Sequence, residues 1–101
     1  MLRLSFFVFL TLIASGVHAE EDPFADLKKG QPKAVGALAE RIAMCTHFAG
    51  EEPYDAERRK EIAEAMNTYR CGKIERDEAV LRKRYKDNPG VLGALQRAHE
   101  W

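Results

Sequence analysis

The chain has 101 residues, with 16 lysine and arginine residues and 16 aspartate and glutamate residues, so its formal net charge at neutral pH is zero. That balance gives no reason to expect polyanion binding or a strongly acidic partner through overall charge. The residue inventory excludes a hydrolase of the Ser–His–Asp kind, because the two serines, Ser5 and Ser15, both lie in an N-terminal apolar segment. We also find no glycine-rich phosphate loop.

The N-terminal segment has the pattern of a secretory signal peptide. Arg3 supplies the positive charge, residues 4–13 are nearly all apolar, and Val17 and Ala19 place small residues where a signal peptidase reads. A retained membrane anchor is the alternative, but the apolar run is shorter than the roughly 20 residues that span a bilayer. We therefore expect cleavage after Ala19 and a periplasmic or secreted protein, with no transmembrane segment after processing. Removing 19 of the 101 residues leaves 82, with 15 basic and 16 acidic residues and a net charge of −1.

Cys45 and Cys71 are the two cysteines of the chain, and in an oxidising compartment they are the only possible intrachain pair. A bond between them would close a ring of 27 residues. The chain-entropy treatment gives such a ring a stabilisation of about 3.5 kcal/mol. A reactive thiol is the alternative, but there is no Cys-x-x-Cys motif and no lysine or arginine close to Cys45. Pairing between two chains stays open.

Hydrophobic periodicity predicts a small all-α domain over residues 33–101, preceded by a poorly ordered arm at residues 20–32. One helical turn near residues 23–29 could dock Phe24 in this arm. The first main helix starts at Pro32 and Lys33 and ends between His47 and Gly50, with Gly50 suited to a left-handed terminating position. Its apolar stripe, at steps of three and four, consists of Val35, Leu38, Ile42, Cys45 and Ala49.

Two or three further helices follow. The next starts with Pro53 in its first turn and covers about residues 54–70, so Cys71 falls at its end. A third starts either at an Asp77 cap and runs over residues 78–86, or earlier, near Lys73. Asn88 and Pro89 are the cap and first turn of a short last helix. The predicted fold is thus three to four helices closed by one disulfide.

The predicted disulfide conflicts with a simple tight hairpin of the first two helices. A helix over residues 54–70 is about 25 Å long, whereas disulfide-linked Cα atoms lie about 5.5 Å apart. The connection over residues 46–53 must therefore run back along the second helix, and its eight residues reach about 27 Å when extended. A wide crossing angle would need less extension. This tethered connection is the segment that a function would use.

Two clusters of polar residues have alternative interpretations. His47, Glu51, Glu52 and Asp55 are a donor set suited to zinc or another divalent ion, or to acid–base chemistry. The structural alternative is that the carboxylates favour the positive end of the following helix and that His47 hydrogen-bonds locally. The basic cluster of residues 82–86 comprises Arg82, Lys83, Arg84 and Lys86. It is either a solvated helix face or a site for anionic lipid or an acidic partner; nothing in it indicates nucleic acid.

The run from Cys45 to Cys71 resembles a pattern found in small, functionally uncharacterised exported proteins of Gram-negative bacteria. The residues that carry the resemblance are Cys45, His47, Phe48, the run Gly50-Glu51-Glu52-Pro53-Tyr54-Asp55, Arg58, Ile62, Arg70, Cys71, Leu81 and Tyr85. The resemblance implies bacterial export and the disulfide, and it implies no catalytic activity.

The function predicted from these patterns is that of a non-enzymatic exported protein that binds another envelope or secreted protein, in the manner of an inhibitor or immunity protein. The candidate contact residues are His47, Phe48, Glu51, Glu52, Tyr54, Asp55 and Trp101. Trp101 could instead be a staple for the last helix. No cofactor is required, although a zinc-binding module is the second hypothesis. A membrane-surface or envelope-stress protein that uses the basic cluster is the third.

Overall fold

A computed structural model describes residues 21–101, and the predicted signal peptide lies outside this part of the chain. Within it the secondary structure is helical throughout, which confirms the all-α fold. The elements are α1 (Ala25–Lys28), α2 (Lys33–Ala49), α3 (Ala56–Thr68), a 3₁₀ turn (Cys71–Lys73), α4 (Ile74–Arg84) and α5 (Pro89–His99).

Helix α2 is the central element, and the other helices pack around it. Its predicted apolar stripe is buried from Val35 to Cys45, whereas Ala49 at its end is exposed. The helix shares one core with α5 through residues such as Ile42 and Leu95. The residues that complete this core are Phe24, Leu27, Val35, Leu38, Ala39, Ala43, Leu81, Val91 and Ala98. Gly36 on α2 lets α1 approach closely. A Cβ added to Gly36 would lie only 3.2 Å from Cγ of Lys28 on α1.

The segment expected to be a poorly ordered arm contributes directly to the core. It forms the short helix α1, and both Phe24 and Leu27 are 6% exposed. Asp22 fixes the start of α1, since its carboxylate accepts hydrogen bonds from the backbone N–H of Phe24 and from the ammonium of Lys28, each at 2.9 Å. The expected docking of Phe24 is confirmed.

Several helix ends differ from the prediction. Gly50 ends α2 with φ −85°, so it does not adopt the left-handed conformation expected of it. Helix α3 begins later than predicted: Pro53 lies before the helix, and Asp55 caps it by accepting a 2.7 Å hydrogen bond from the N–H of Arg58. Helix α4 takes the earlier of its two predicted starts, at Ile74.

The start of α5 agrees with the sequence signal, because the side chain of Asn88 accepts a hydrogen bond from the N–H of Val91 and Pro89 is the first helical residue. The extended backbone of Asn88 and the proline that follows it therefore determine where α5 begins.

The disulfide between Cys45 and Cys71 is present, with an S–S distance of 2.07 Å and a Cα–Cα distance of 5.6 Å. Three contacts attach the end of α2 and the segment after it to α3 and the turn that follows α3. They run in antiparallel order: Cys45 with Cys71, Phe48 with Tyr69, and Glu51 with Arg58. The connection therefore lies along α3 as predicted, although it is shorter than expected. Thr46 to Ala49 stay in α2, which leaves residues 50–55 to cover the distance.

A single arginine on α2 holds the turn that follows α3. Arg41 donates to the carbonyl oxygens of Tyr69 at 2.9 Å and Arg70 at 3.2 Å, and its guanidinium pairs with Asp77 on α4 at 2.9 Å. Arg70 has φ 51°, a left-handed conformation that is unfavourable for a residue with a Cβ. Asp77 thus lies inside α4 as an ion-pair partner and does not cap the helix, so the later of the two predicted helix starts was wrong.

Replacing both cysteines with alanine should lower the free energy of unfolding by about 3.5 kcal/mol, because the unfolded chain regains the entropy of an open ring of 27 residues. Urea unfolding followed by circular dichroism measures the change, and the unmodified protein in reductant is the control. A loss below about 1 kcal/mol would contradict the assignment of the bond as a principal source of stability.

Replacing Arg70 with glycine should raise the free energy of unfolding by about 0.5–1 kcal/mol. The left-handed backbone costs a non-glycine residue about 1–2 kcal/mol, and the added entropy of glycine in the unfolded chain offsets part of this gain. Arg76→Gly, at an exposed position within α4, is the matched control and should lose about 1 kcal/mol. Equal losses for both variants would show that the conformation of Arg70 is not strained.

Candidate functional site

Five rings lie in series on one surface of the protein, and we call them the aromatic strip: Phe24, Trp101, His47, Phe48 and Tyr69. Successive ring centroids are 4.8 Å apart for Phe24 and Trp101, 6.3 Å for Trp101 and His47, 5.2 Å for His47 and Phe48, and 6.3 Å for Phe48 and Tyr69. The rings come from the segment before α1, the last turn of α2, the end of α3 and the C-terminal residue. The strip therefore joins parts of the chain that are distant in sequence.

The strip has a buried end and an open middle. Phe24 is 6% exposed and anchors the strip in the core, whereas Trp101 is 46% exposed although its ring packs against Phe24. His47 is exposed, and Phe48 and Tyr69 are half-buried. Trp101 thus packs on the protein through its contact with Phe24, and the rest of its surface faces solvent, while its contact with a partner stays a prediction.

Ion pairs of Arg58 hold the connection between α2 and α3. Arg58 donates two hydrogen bonds of 2.8 Å to the two carboxylate oxygens of Glu51 and one of 2.9 Å to Glu61. The two parallel bonds to Glu51 are the bidentate arrangement that gives arginine–carboxylate pairs a defined geometry. The hydrogen bonds from Arg58 lower the pKa of the Glu51 carboxyl, and the same pairing raises the pKa of Arg58.

The candidate contact residues fall into two groups. His47, Phe48 and Trp101 belong to the aromatic strip, while Glu51, Glu52, Tyr54 and Asp55 belong to the connection. Tyr54 is the most exposed large hydrophobic side chain of the described part of the chain, at 82%, and Glu52, two residues before it, is also exposed. The connection therefore presents a tyrosine flanked by carboxylates, separately from the rings of the strip.

Two of the four proposed metal ligands, Glu51 and Asp55, already bind groups of the protein. Both carboxylate oxygens of Glu51 accept hydrogen bonds from Arg58, and the carboxylate of Asp55 caps α3. Among residues 21–101, no three or more His, Cys, Asp or Glu side chains are grouped so that they could hold a metal ion. Binding of zinc at His47 and its neighbours stays a prediction, and it would require Glu51 or Asp55 to exchange its present partner.

The basic cluster of residues 82–86 is split by its contacts. Arg82 is half-buried and pairs with Glu78 at 2.6 Å, and the same carboxylate lies 2.6 Å from Nε2 of His99 on α5. Tyr85 packs against the core. Lys83, Arg84 and Lys86 are exposed, so three cations of the predicted cluster face solvent and Arg82 has a structural partner.

Sequence reasoning did not identify the strip as a unit. Phe24 was expected to dock, but its contact with Trp101 depends on packing between the first helical turn and the last residue. The contact of Phe48 with Tyr69 depends on packing between the ends of α2 and α3. The role of Arg58 was also missed, because its pairing with Glu51 spans seven residues and crosses the start of α3.

Comparison with protein-family models, with curated proteins and with solved structures finds no match for this chain. Across residues 21–101, no helix combines the length and the apolar character needed to cross a bilayer.

Replacing Glu51 with glutamine should lower stability at neutral pH and reduce the loss of stability on acidification. The pKa of Glu51 in the folded protein is lowered from its usual value of 4.5, so its contribution is present above that pH and is lost as the pH falls through the folded pKa. Thermal unfolding between pH 3 and pH 7 measures the effect, with the exposed Glu52→Gln as the control. Identical pH profiles for the two variants would contradict the role of Arg58 in holding Glu51.

Proposed function

We propose that this protein is a small, exported, non-enzymatic binding protein that contacts another envelope or secreted protein through the aromatic strip, in the manner of an inhibitor or immunity protein. The observation that carries the proposal is the open middle of the strip, where Trp101 is 46% exposed between Phe24 and His47. Tryptophan and other aromatic residues are enriched at protein interfaces and carry much of their binding energy.

The support for a protein partner comes from the size and shape of this surface. Each buried aromatic side chain can remove about 150–250 Å² from solvent, and a row of rings offers a large apolar area with few rotatable bonds. The edge-on contacts of His47 with Trp101 and Phe48, both at 72° between ring planes, fix the relative orientation of the three rings. A rigid surface of this kind loses little conformational entropy on binding.

The connection beside the strip supports the same proposal. The disulfide at Cys45 lies one turn before the strip residues of α2, and the Glu51–Arg58 pair holds the segment that follows them. Glu51 is neutralised by Arg58, and the exposed Glu52 adds negative charge to the same connection. Polar groups around an apolar centre are the usual arrangement of an interface and increase its specificity.

The contacts of His47 favour binding over catalysis. A catalytic imidazole is usually oriented by a carboxylate or another hydrogen-bonding partner. His47 lies between the rings of Trp101 and Phe48, and the carboxylate of Glu51 is taken by Arg58. Export and a disulfide in an oxidising compartment are consistent with a partner in the envelope or outside the cell.

Truncation of Trp101 to alanine should abolish capture of the partner. The test uses the purified, disulfide-bonded protein, cross-linked and recovered from a bacterial envelope extract, with a candidate partner then titrated directly. A central aromatic residue contributes at least about 2 kcal/mol to binding when truncated, so the affinity should fall by at least about 30-fold. Gln96→Ala, which removes an exposed side chain near the same end of the chain, is the matched control.

Two further measurements separate lost contact from lost folding. Trp101→Phe keeps a ring against Phe24 and should recover most of the affinity, while thermal unfolding reports the stability of each variant. The proposal is wrong if a partner is captured equally by the wild-type, Trp101→Ala and Phe48→Ala proteins. It is also wrong if no partner is recovered by the wild-type protein.

A further inference from the structure

A second surface, distinct from the aromatic strip, lies between α2 and α4. It is a groove of about 280 Å³ whose apolar lining includes Ala37, Leu38, Val80 and Leu81. Arg41, Arg70 and Asp77 line one end of it. We call this surface the α2–α4 groove.

The groove is open to solvent. Val80 is 53% exposed, which makes it one of three large apolar side chains left exposed in residues 21–101, and Ala37 across the groove is exposed as well. An exposed valine on a helix whose other surface positions are mainly charged is a position where burial by another molecule would gain free energy.

The charge around the groove is positive. Arg41 and Asp77 neutralise each other through their 2.9 Å ion pair, whereas Arg70 is exposed and has no acidic partner among the described residues. At the other end, Lys33 precedes the lining residue Ala34 and Arg84 lies one helical turn beyond Val80. An occupant with an apolar group flanked by carboxylates would match this arrangement.

The chain itself carries such a group. Tyr54 is 82% exposed at the connection between α2 and α3, with Glu52 and Asp55 on either side of it. The disulfide and the Glu51–Arg58 pair hold this connection, so the tyrosine is presented on a fixed support. Tyr54, Val80 and Trp101 are the exposed large apolar residues, and the first two lie on surfaces of opposite charge.

We propose that two copies of the protein associate head to tail, with Tyr54 of one copy in the α2–α4 groove of the next and the flanking carboxylates facing Arg70 and its basic neighbours. Tyr54 remains exposed within its own chain, so the contact forms between molecules. The two surfaces are different, which makes the interface heterologous and able to extend beyond a dimer. A contact formed by one loop and one groove is small and therefore weak, with a Kd expected at about 10–1000 μM.

The test is sedimentation equilibrium of the purified, disulfide-bonded protein from about 10 μM to 1 mM, together with two variants. Tyr54→Ser removes the inserted side chain, and Val80→Glu places a carboxylate in the groove. Both positions are exposed, so helicity and thermal stability should match the wild type. We expect the weight-average mass of the wild-type protein to rise with concentration, by about twofold or more at the highest concentration, and each variant to stay monomeric.

Mixing the two variants gives the decisive result. Tyr54→Ser keeps an intact groove and Val80→Glu keeps an intact tyrosine, so an equal mixture should form dimers that cannot grow further. Arg70→Asn should weaken association of the wild-type protein at least threefold, and 0.5 M salt should weaken it also. Trp101→Ala, which alters the aromatic strip, should associate like the wild type, so this test is independent of the proposed function.

Four outcomes would overturn the proposal. The wild-type protein could remain monomeric at 1 mM, which would mean that the groove takes no second copy. Either variant could associate as strongly as the wild type, or the mixture could contain monomers alone. An association that Trp101→Ala removes would assign self-contact to the aromatic strip and would equally reject the groove.

Discussion

The position of α3 depends on one covalent constraint, the bond between Cys45 and Cys71. Helix α3 buries a single residue, Ile62, and that residue lies outside the main core. Burial of one isoleucine contributes about 1.5–3 kcal/mol, which is small compared with the entropy cost of ordering a helix of 13 residues. The disulfide, the ring pair of Phe48 and Tyr69, and the Glu51–Arg58 pair supply the remaining attachment. The connection that carries Tyr54 is fixed by the same contacts.

The central position of α2 links this attachment to both surfaces discussed above. Its buried face forms the core with α1 and α5, its last turn supplies His47 and Phe48 to the aromatic strip, and its exposed alanines form one side of the α2–α4 groove. Arg41 connects the same helix to the turn after α3 and to α4. A change in α2 would therefore reach both surfaces, whereas Trp101 belongs to the strip alone and Val80 to the groove alone.

Much of the fold could be predicted from local signals, and the candidate site only in part. The periodicity of α2, the caps at Asn88 and Pro89, and the cysteine pair were sufficient to predict a disulfide-bonded helical domain and a connection that runs along α3. The predicted end of α3 at residue 70 was wrong, because the helix ends at Thr68 and Arg70 takes a left-handed conformation, which three hydrogen bonds from Arg41 accompany. The strip could not be predicted, since Phe24 and Trp101 meet through tertiary packing alone.

The separation of charge between the acidic connection and the basic end of α4 has a consequence for handling the protein in solution. A molecule with little net charge and with opposite charges on different surfaces has an electric dipole. Dissolved ions screen attraction between such dipoles. The protein should therefore dissolve better as ions are added at moderate concentration, and it should be retained weakly by both anion and cation exchange resins near neutral pH.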